Sequence, residues 1–94
     1  MKRAGTATLA LIEPLLAALR AHPALRERTP GHFCLGRREV LHFHSDPAGV
    51  FADVRLSGGF ERLPATTAAE QADVLDRIEA CVDSIEARRH RRNR

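Results

Sequence analysis

The chain has 94 residues, 44% of them hydrophobic and 29% charged, and a net charge of +3. This length allows one domain with a thin core, which a second copy would help to cover, and the composition excludes a disordered chain. No apolar run is long enough to span a bilayer; the basic start and apolar stretch that superficially resemble a secretion signal are interrupted by Glu13 and Pro14, with no small-x-small cleavage site after them.

The charge is unevenly placed. Residues 88–94 hold five arginines, and without them the chain has ten basic against twelve acidic residues, a net of −2. The high pI therefore belongs to this segment and not to a basic globular face. Cys34 and Cys81 form neither a CxxC nor a disulfide framework. They read as small buried hydrophobes in a reducing compartment, so a cytoplasmic location is expected.

Residues 6–21 read as a helix. Leu9, Ile12, Leu16 and Leu19 recur at helical spacing, with Leu15 beside them. Pro14 either kinks this helix or opens a helix that starts near Glu13. His22-Pro23 ends it, because the residue before proline avoids the α region. Residues 24–31 read as a charged connector closing on the Pro30-Gly31 turn. A short strand over 32–35 follows, with Phe33 and Leu35 on one side, then a tight turn at Gly36-Arg37.

Residues 38–44 and 50–56 are the two strongest strands. The link Asp46-Pro47-Ala48-Gly49 suits a type I turn. Gly58-Gly59 breaks the chain, and residues 60–63 form a further short strand before Pro64. Thr67 followed by Glu70 is a capping box. It opens a helix from Ala68 to Arg88 or Arg89 whose apolar stripe is Leu75, Ile78, Val82 and Ile85, extended by Ala72. Acidic residues lie early in it and arginines late, and Asp73 and Arg77 are spaced for an i, i+4 pair. The expected fold is one α+β domain over residues 1–87. It has an N-terminal helix, a three- to four-stranded antiparallel sheet and a long C-terminal helix, with both helices on one face; residues 88–94 form an arginine-rich tail.

The candidate chemistry lies on the central hairpin. His42 and His44 alternate on one strand and so share a face. With Ser45 opposite Val50, Leu41 and Phe43 join Val50, Ala52, Val54 and Leu56 on an apolar face. The other face then carries Val40, His42, His44, Phe51, Asp53 and Arg55, while Glu39 leaves the cluster. A three-residue loop with left-handed Gly49 would shift the pairing by one and mix both faces. A one-residue slip swaps every side chain, so the need for a buried face favours the first register.

Three kinds of function suit this pattern. The leading expectation is a binding or interaction domain with a polar surface formed by Arg37, His42, His44, Asp53 and Arg55. It would take a small-molecule ligand, need no cofactor, and self-associate as a dimer away from membranes. The alternative is a small metal-dependent or acid–base enzyme using His42, His44 and Asp53, since two strand histidines and a carboxylate across the ladder can form a two-His-one-carboxylate set. No nucleophile stands out: Ser45 and Ser57 lack an elbow context and Cys34 has no motif. A weaker alternative is non-specific nucleic-acid binding through Arg88, Arg89, Arg91, Arg92 and Arg94. The acidic body and the absence of Tyr and Trp for base stacking weigh against it. So does an arginine-to-lysine ratio of fourteen to one, which suggests a genome-wide bias.

Phe33, Leu35, Gly36, Arg37, Arg38 and Glu39, followed by His42, His44, Ala52 and Asp53, resemble the central motif of small bacterial luciferase-domain proteins. In that motif a Phe-x-Leu-Gly-Arg-Glu segment, with an optional second arginine before the glutamate, leads into His-x-His and then Ala-Asp. The resemblance covers roughly a quarter of the chain and is compatible with the helix–hairpin–helix order. It implies that Arg37, Glu39, His42, His44 and Asp53 are the motif positions. It supplies no reaction, and the chain has no flavin or luciferin fingerprint.

Overall fold

The computed structural model describes residues 2–3, 5–56 and 59–92. Ser57, Gly58 and Arg94, which entered the sequence reading, lie outside the described residues. The expected N-terminal helix is two helices, α1 (Thr6–Leu11) and α2 (Glu13–Ala21), separated at Ile12 with φ −112° and ψ 20°. The break follows from Pro14. Inside a helix its ring would clash with the preceding turn, whereas in the first turn of α2 its missing N–H costs nothing. Ile12, Leu15, Leu16 and Leu19 are buried. His22 adopts extended backbone before Pro23 and closes α2.

One antiparallel sheet carries the rest. Strands β2 (Arg26–Thr29), β3 (His32–Leu35), β4 (Arg38–Asp46), β5 (Gly49–Leu56) and β6 (Gly59–Pro64) lie in sequence order, and β1 (Lys2–Arg3) pairs with β4 at Ser45 and His44. The main path thus has five strands where three to four were expected. The addition is β2, read from sequence as a connector. Its Arg-Glu-Arg-Thr sequence has no apolar alternation because it is a charged edge strand, a composition that discourages further strand pairing. Glu27 is turned toward the helices, where Arg20 Nε donates to its Oε1 at 2.7 Å.

The hairpin has the register expected from burial: Ser45 faces Val50, Phe43 faces Ala52, His42 faces Asp53 and Leu41 faces Val54. Asp46 also pairs with Gly49, so the loop proper is Pro47-Ala48, with the Ala48 N–H donating to Asp46 Oδ1 at 2.9 Å. Leu41, Phe43, Val50, Ala52 and Val54 are buried under the helices.

One irregularity changes the faces. Phe33 pairs with Leu41 but Cys34 pairs with Glu39, so β4 carries one more residue than β3 at Val40. Such a bulge interrupts the alternation of side chains. Val40 is buried in the core with Leu41 and does not join the histidine face. Glu39, expected to leave the histidines, is brought to their side.

The long helix α3 (Ala68–Arg92) packs on β5, β6 and α2, which places the helices on one face of the sheet. Its capping box is complete: the Glu70 N–H donates to Thr67 Oγ1 at 3.1 Å, and the Thr67 N–H donates to Glu70 Oε1 at 3.0 Å. The fully buried stripe is Val74, Ile78 and Val82, with Leu75 and Ile85 partly buried beside it. Ala72, expected to extend the stripe, is exposed; two positions from Val74 is more than half a turn away. The helix continues through the expected 87/88 boundary, so Arg88, Arg89 and Arg91 stand exposed on its last turns. Among the described residues no helix is long and apolar enough to cross a membrane.

Candidate functional site

The face of the sheet away from the helices carries a continuous row of histidines and carboxylates. It starts on β3, where His32 is the first residue and points opposite to the buried Phe33. Its ring stacks on His42, with centroids 5.5 Å apart and planes 13° apart. Glu39 bridges these two rings, with Oε2 3.3 Å from His32 Nδ1 and Oε1 2.7 Å from His42 Nδ1. The row continues on β5, where Asp53 Oδ2 lies 3.2 Å from His42 Nε2 and 2.8 Å from His44 Nε2. Arg62 on β6, paired with Asp53 in the ladder, completes it through a forked contact: Nε donates to Oδ1 at 2.8 Å and Nη2 to Oδ2 at 3.0 Å.

The electrostatics favour ionised carboxylates. The Arg62 hydrogen bonds hold the Asp53 carboxyl below its ordinary value, outweighing burial, and nearby His44 and His42 add to the effect. Burial pushes the Glu39 carboxyl up, but His32 and His42 outweigh it and the net direction is down. Asp53 is buried, and the His42 and His44 side chains are 18% and 20% exposed.

The imidazoles are close to the carboxylates yet poorly hydrogen-bonded. His42 Nδ1 and both nitrogens of His44 are buried without a directed hydrogen bond among the described residues. At both His42 Nδ1 and His44 Nε2 the carboxylate is near, at 2.7 and 2.8 Å, but without hydrogen-bond alignment. A neutral imidazole needs an acceptor for its one N–H, and a buried nitrogen left without a partner costs about 1–3 kcal/mol. Two donor atoms whose lone pairs converge on one cation show this pattern, because they approach each other without bonding to each other. A cation about 2.0–2.2 Å from each ligand atom sets neighbouring ligands about 3 to 3.5 Å apart, and each histidine Nε2 comes near this spacing from Asp53 Oδ2, at 3.2 Å for His42 and 2.8 Å for His44. One ligand atom from each of the three residues fits within 4.8 Å of the others.

The other expected site residues are peripheral. Arg55 lies on the same face, but its Nε donates to the Glu39 carbonyl at 3.1 Å and its guanidinium covers the Phe60 ring at 4.5 Å. Phe60 in turn sits 5.2 Å from His42 between ring centroids and walls that side of the cluster. Arg37 is in the β3–β4 turn and lines a hollow with His32 and Glu39. Arg88, Arg89 and Arg91 are on α3, on the helix-covered side of the sheet, away from the histidine face.

Sequence reasoning missed His32 and Arg62, and strand parity put Glu39 on the wrong face although the family resemblance carried it as a motif position. His32 was readable from alternation in β3, since Phe33 and Leu35 face the core. Arg62 required the β5–β6 register, and Glu39 required the bulge. Cys81, expected to be a buried hydrophobe, is only half-buried and donates its thiol to the Arg55 carbonyl, with Sγ 3.6 Å away; Cys34 is buried as expected. Comparisons with protein-family models, with curated proteins and with solved structures find no match to this chain.

Proposed function

We propose that this protein is a divalent-metal-binding domain whose centre is His42, His44 and Asp53, on the open face of the sheet. The observation that carries the reading is the approach of two histidine Nε2 atoms to one carboxylate oxygen, 3.2 and 2.8 Å away, while both His44 nitrogens lack a hydrogen bond among the described residues. Two neutral imidazoles and one carboxylate suit zinc, or a non-haem iron-type facial set, and leave positions on the ion for an exogenous ligand. Glu39 Oε1, 2.7 Å from His42 Nδ1, is placed to accept that N–H once Nε2 holds an ion, and would then orient the ligating imidazole and increase its basicity. The Arg62 fork uses one lone pair on each Asp53 oxygen, and Oδ2 keeps another for the ion. Glu39, His42, His44 and Asp53 are also four of the five positions implied by the resemblance to luciferase-domain proteins.

Calorimetry with zinc on the metal-stripped chain, with cobalt absorption to report coordination, tests this reading. The expected result is one ion per chain and a loss of at least about tenfold in affinity on His42→Ala or His44→Ala. Absence of zinc and cobalt uptake by the wild-type chain overturns it. So does uptake that both substitutions leave intact.

A further inference from the structure

On the opposite side of the sheet, the C-terminal half of α3 and the ends of β3 and β4 enclose a groove of about 630 Å³. Its floor is apolar, with Leu35 from β3, the bulge residue Val40 from β4 and Ile85 from α3. Arg38, Arg88 and Arg89 line it as well, all three exposed. Arg38 pairs with Leu35 across the β3–β4 turn, so it belongs to the helix side of the sheet. Arg89 reaches from α3 to the same turn: its Nη2 lies 3.9 Å from where a Cβ on Gly36 would stand.

Among the described residues, arginine ion pairs engage Arg20, Arg62 and Arg77, and none engages these three. Arginines at the end of a helix have an ordinary explanation in the helix dipole. That explanation does not cover Arg38, which comes from a strand, or the reach of Arg89 across to the turn. Among the described residues no carboxylate lines this groove, so the arginines that line it have no built-in counter-charge there. A concave apolar surface of several hundred cubic ångströms with a few convergent polar groups is the usual form of a small-molecule site.

We propose that this groove binds a small soluble amphipathic anion. An apolar body lies on Leu35, Val40 and Ile85, and a phosphate or carboxylate head is held by Arg38, Arg88 and Arg89. Guanidinium groups suit such heads because their paired N–H donors match two oxygens at once. The groove lies across the sheet from the histidines, and Arg55 of the histidine-bearing face also contributes to its lining.

Cys81 lines the groove and is half-buried, whereas Cys34 is buried, so the alkylation rate of Cys81 in the full chain reports occupancy. Octyl phosphate is the probe, with titration calorimetry as the second measurement. The expected result is saturable binding that slows Cys81 alkylation, weakened by roughly tenfold or more in Arg38→Ala and in the Arg88→Ala, Arg89→Ala double variant. Inorganic phosphate and octanol should each bind far more weakly than octyl phosphate. Cys81→Ser should keep the affinity seen by calorimetry, and so should His42→Ala, which separates this site from the metal centre.

Several outcomes overturn the proposal. One is no binding of octyl phosphate, and another is equal binding by the arginine variants. If inorganic phosphate binds as tightly as octyl phosphate, the site is a bare anion patch. If binding occurs only to vesicles containing an anionic lipid, the arginines serve a membrane surface.

Discussion

Glu39 and His42 are three positions apart on one strand, a spacing that plain alternation puts on opposite faces, yet Glu39 Oε1 stands 2.7 Å from His42 Nδ1. The bulge at Val40 makes this contact possible. Burying Val40 beside Leu41 and turning Glu39 toward the histidines are therefore two results of one inserted residue. The same device deepens the core and brings the Glu39 carboxylate to the proposed metal centre.

The Glu39→Gln substitution tests that coupling. It keeps the shape and removes the charge beside His42 Nδ1. Zinc affinity should fall by about 10- to 100-fold, as for other outer-shell carboxylates, while the thermal transition of the metal-free protein moves little. Unchanged affinity would show that Glu39 does not orient the imidazole.

The legible parts of this molecule are those governed by burial. The Ile12–Leu16–Leu19 stripe, the Thr67–Glu70 cap and the hairpin register all follow from apolar spacing or local hydrogen bonding, and all are present. What escaped depended on pairing between segments. The stretch Glu39-Val40-Leu41-His42 looks like uninterrupted strand, and only its mismatch with Phe33-Cys34 reveals the extra residue. Arg62 reaches Asp53 because β6 pairs with β5 in one register, which the charged and apolar residues of a short edge strand do not specify by themselves. The charged residues of β2 concealed an edge strand for the same reason.

Gly49 joins the hairpin to the start of α3. Its φ is 142°, and a Cβ there would collide with Thr66 Oγ1. That hydroxyl accepts the Val50 N–H at 2.9 Å and donates to the Val50 carbonyl at 3.3 Å, so it has little room to withdraw. Gly49→Ala should cost about 1–3 kcal/mol, measured by urea denaturation. A cost within experimental error would mean that the turn relaxes freely.

Acid stability should respond to Glu27. The Arg20 fork lowers the Glu27 carboxyl from its ordinary value against the opposing effect of burial, and the Gly31 N–H, 3.0 Å from Oε2, helps. A depressed folded-state pKa means that the unfolded chain takes up the proton first on acidification. The stabilisation is therefore complete above the ordinary glutamate range and is lost as the pH falls through the folded-state value. Glu27→Gln should lower stability at neutral pH and flatten that part of the acid limb. Denaturation series from neutral pH downward read the difference between the two proteins. Parallel curves would show that this ion pair contributes nothing measurable.

His44 offers the clearest separation between a structural and a metal-binding imidazole. If it holds the fold, replacing it destabilises the protein under all conditions. If it holds an ion, its two buried nitrogens without hydrogen bonds among the described residues are a cost in the metal-free state. Leucine of similar breadth would remove that cost, while Asp53 keeps its Arg62 partner. The metal-free His44→Leu protein should then match or exceed the stability of wild type. With zinc at a hundredfold excess over the dissociation constant, wild type should gain about 2.7 kcal/mol, and the variant should gain far less. Denaturation with a chelator and with zinc, for both proteins, makes the comparison. A large loss in the chelated variant, with equal zinc stabilisation of both, would make His44 part of the scaffold and remove it from the metal centre.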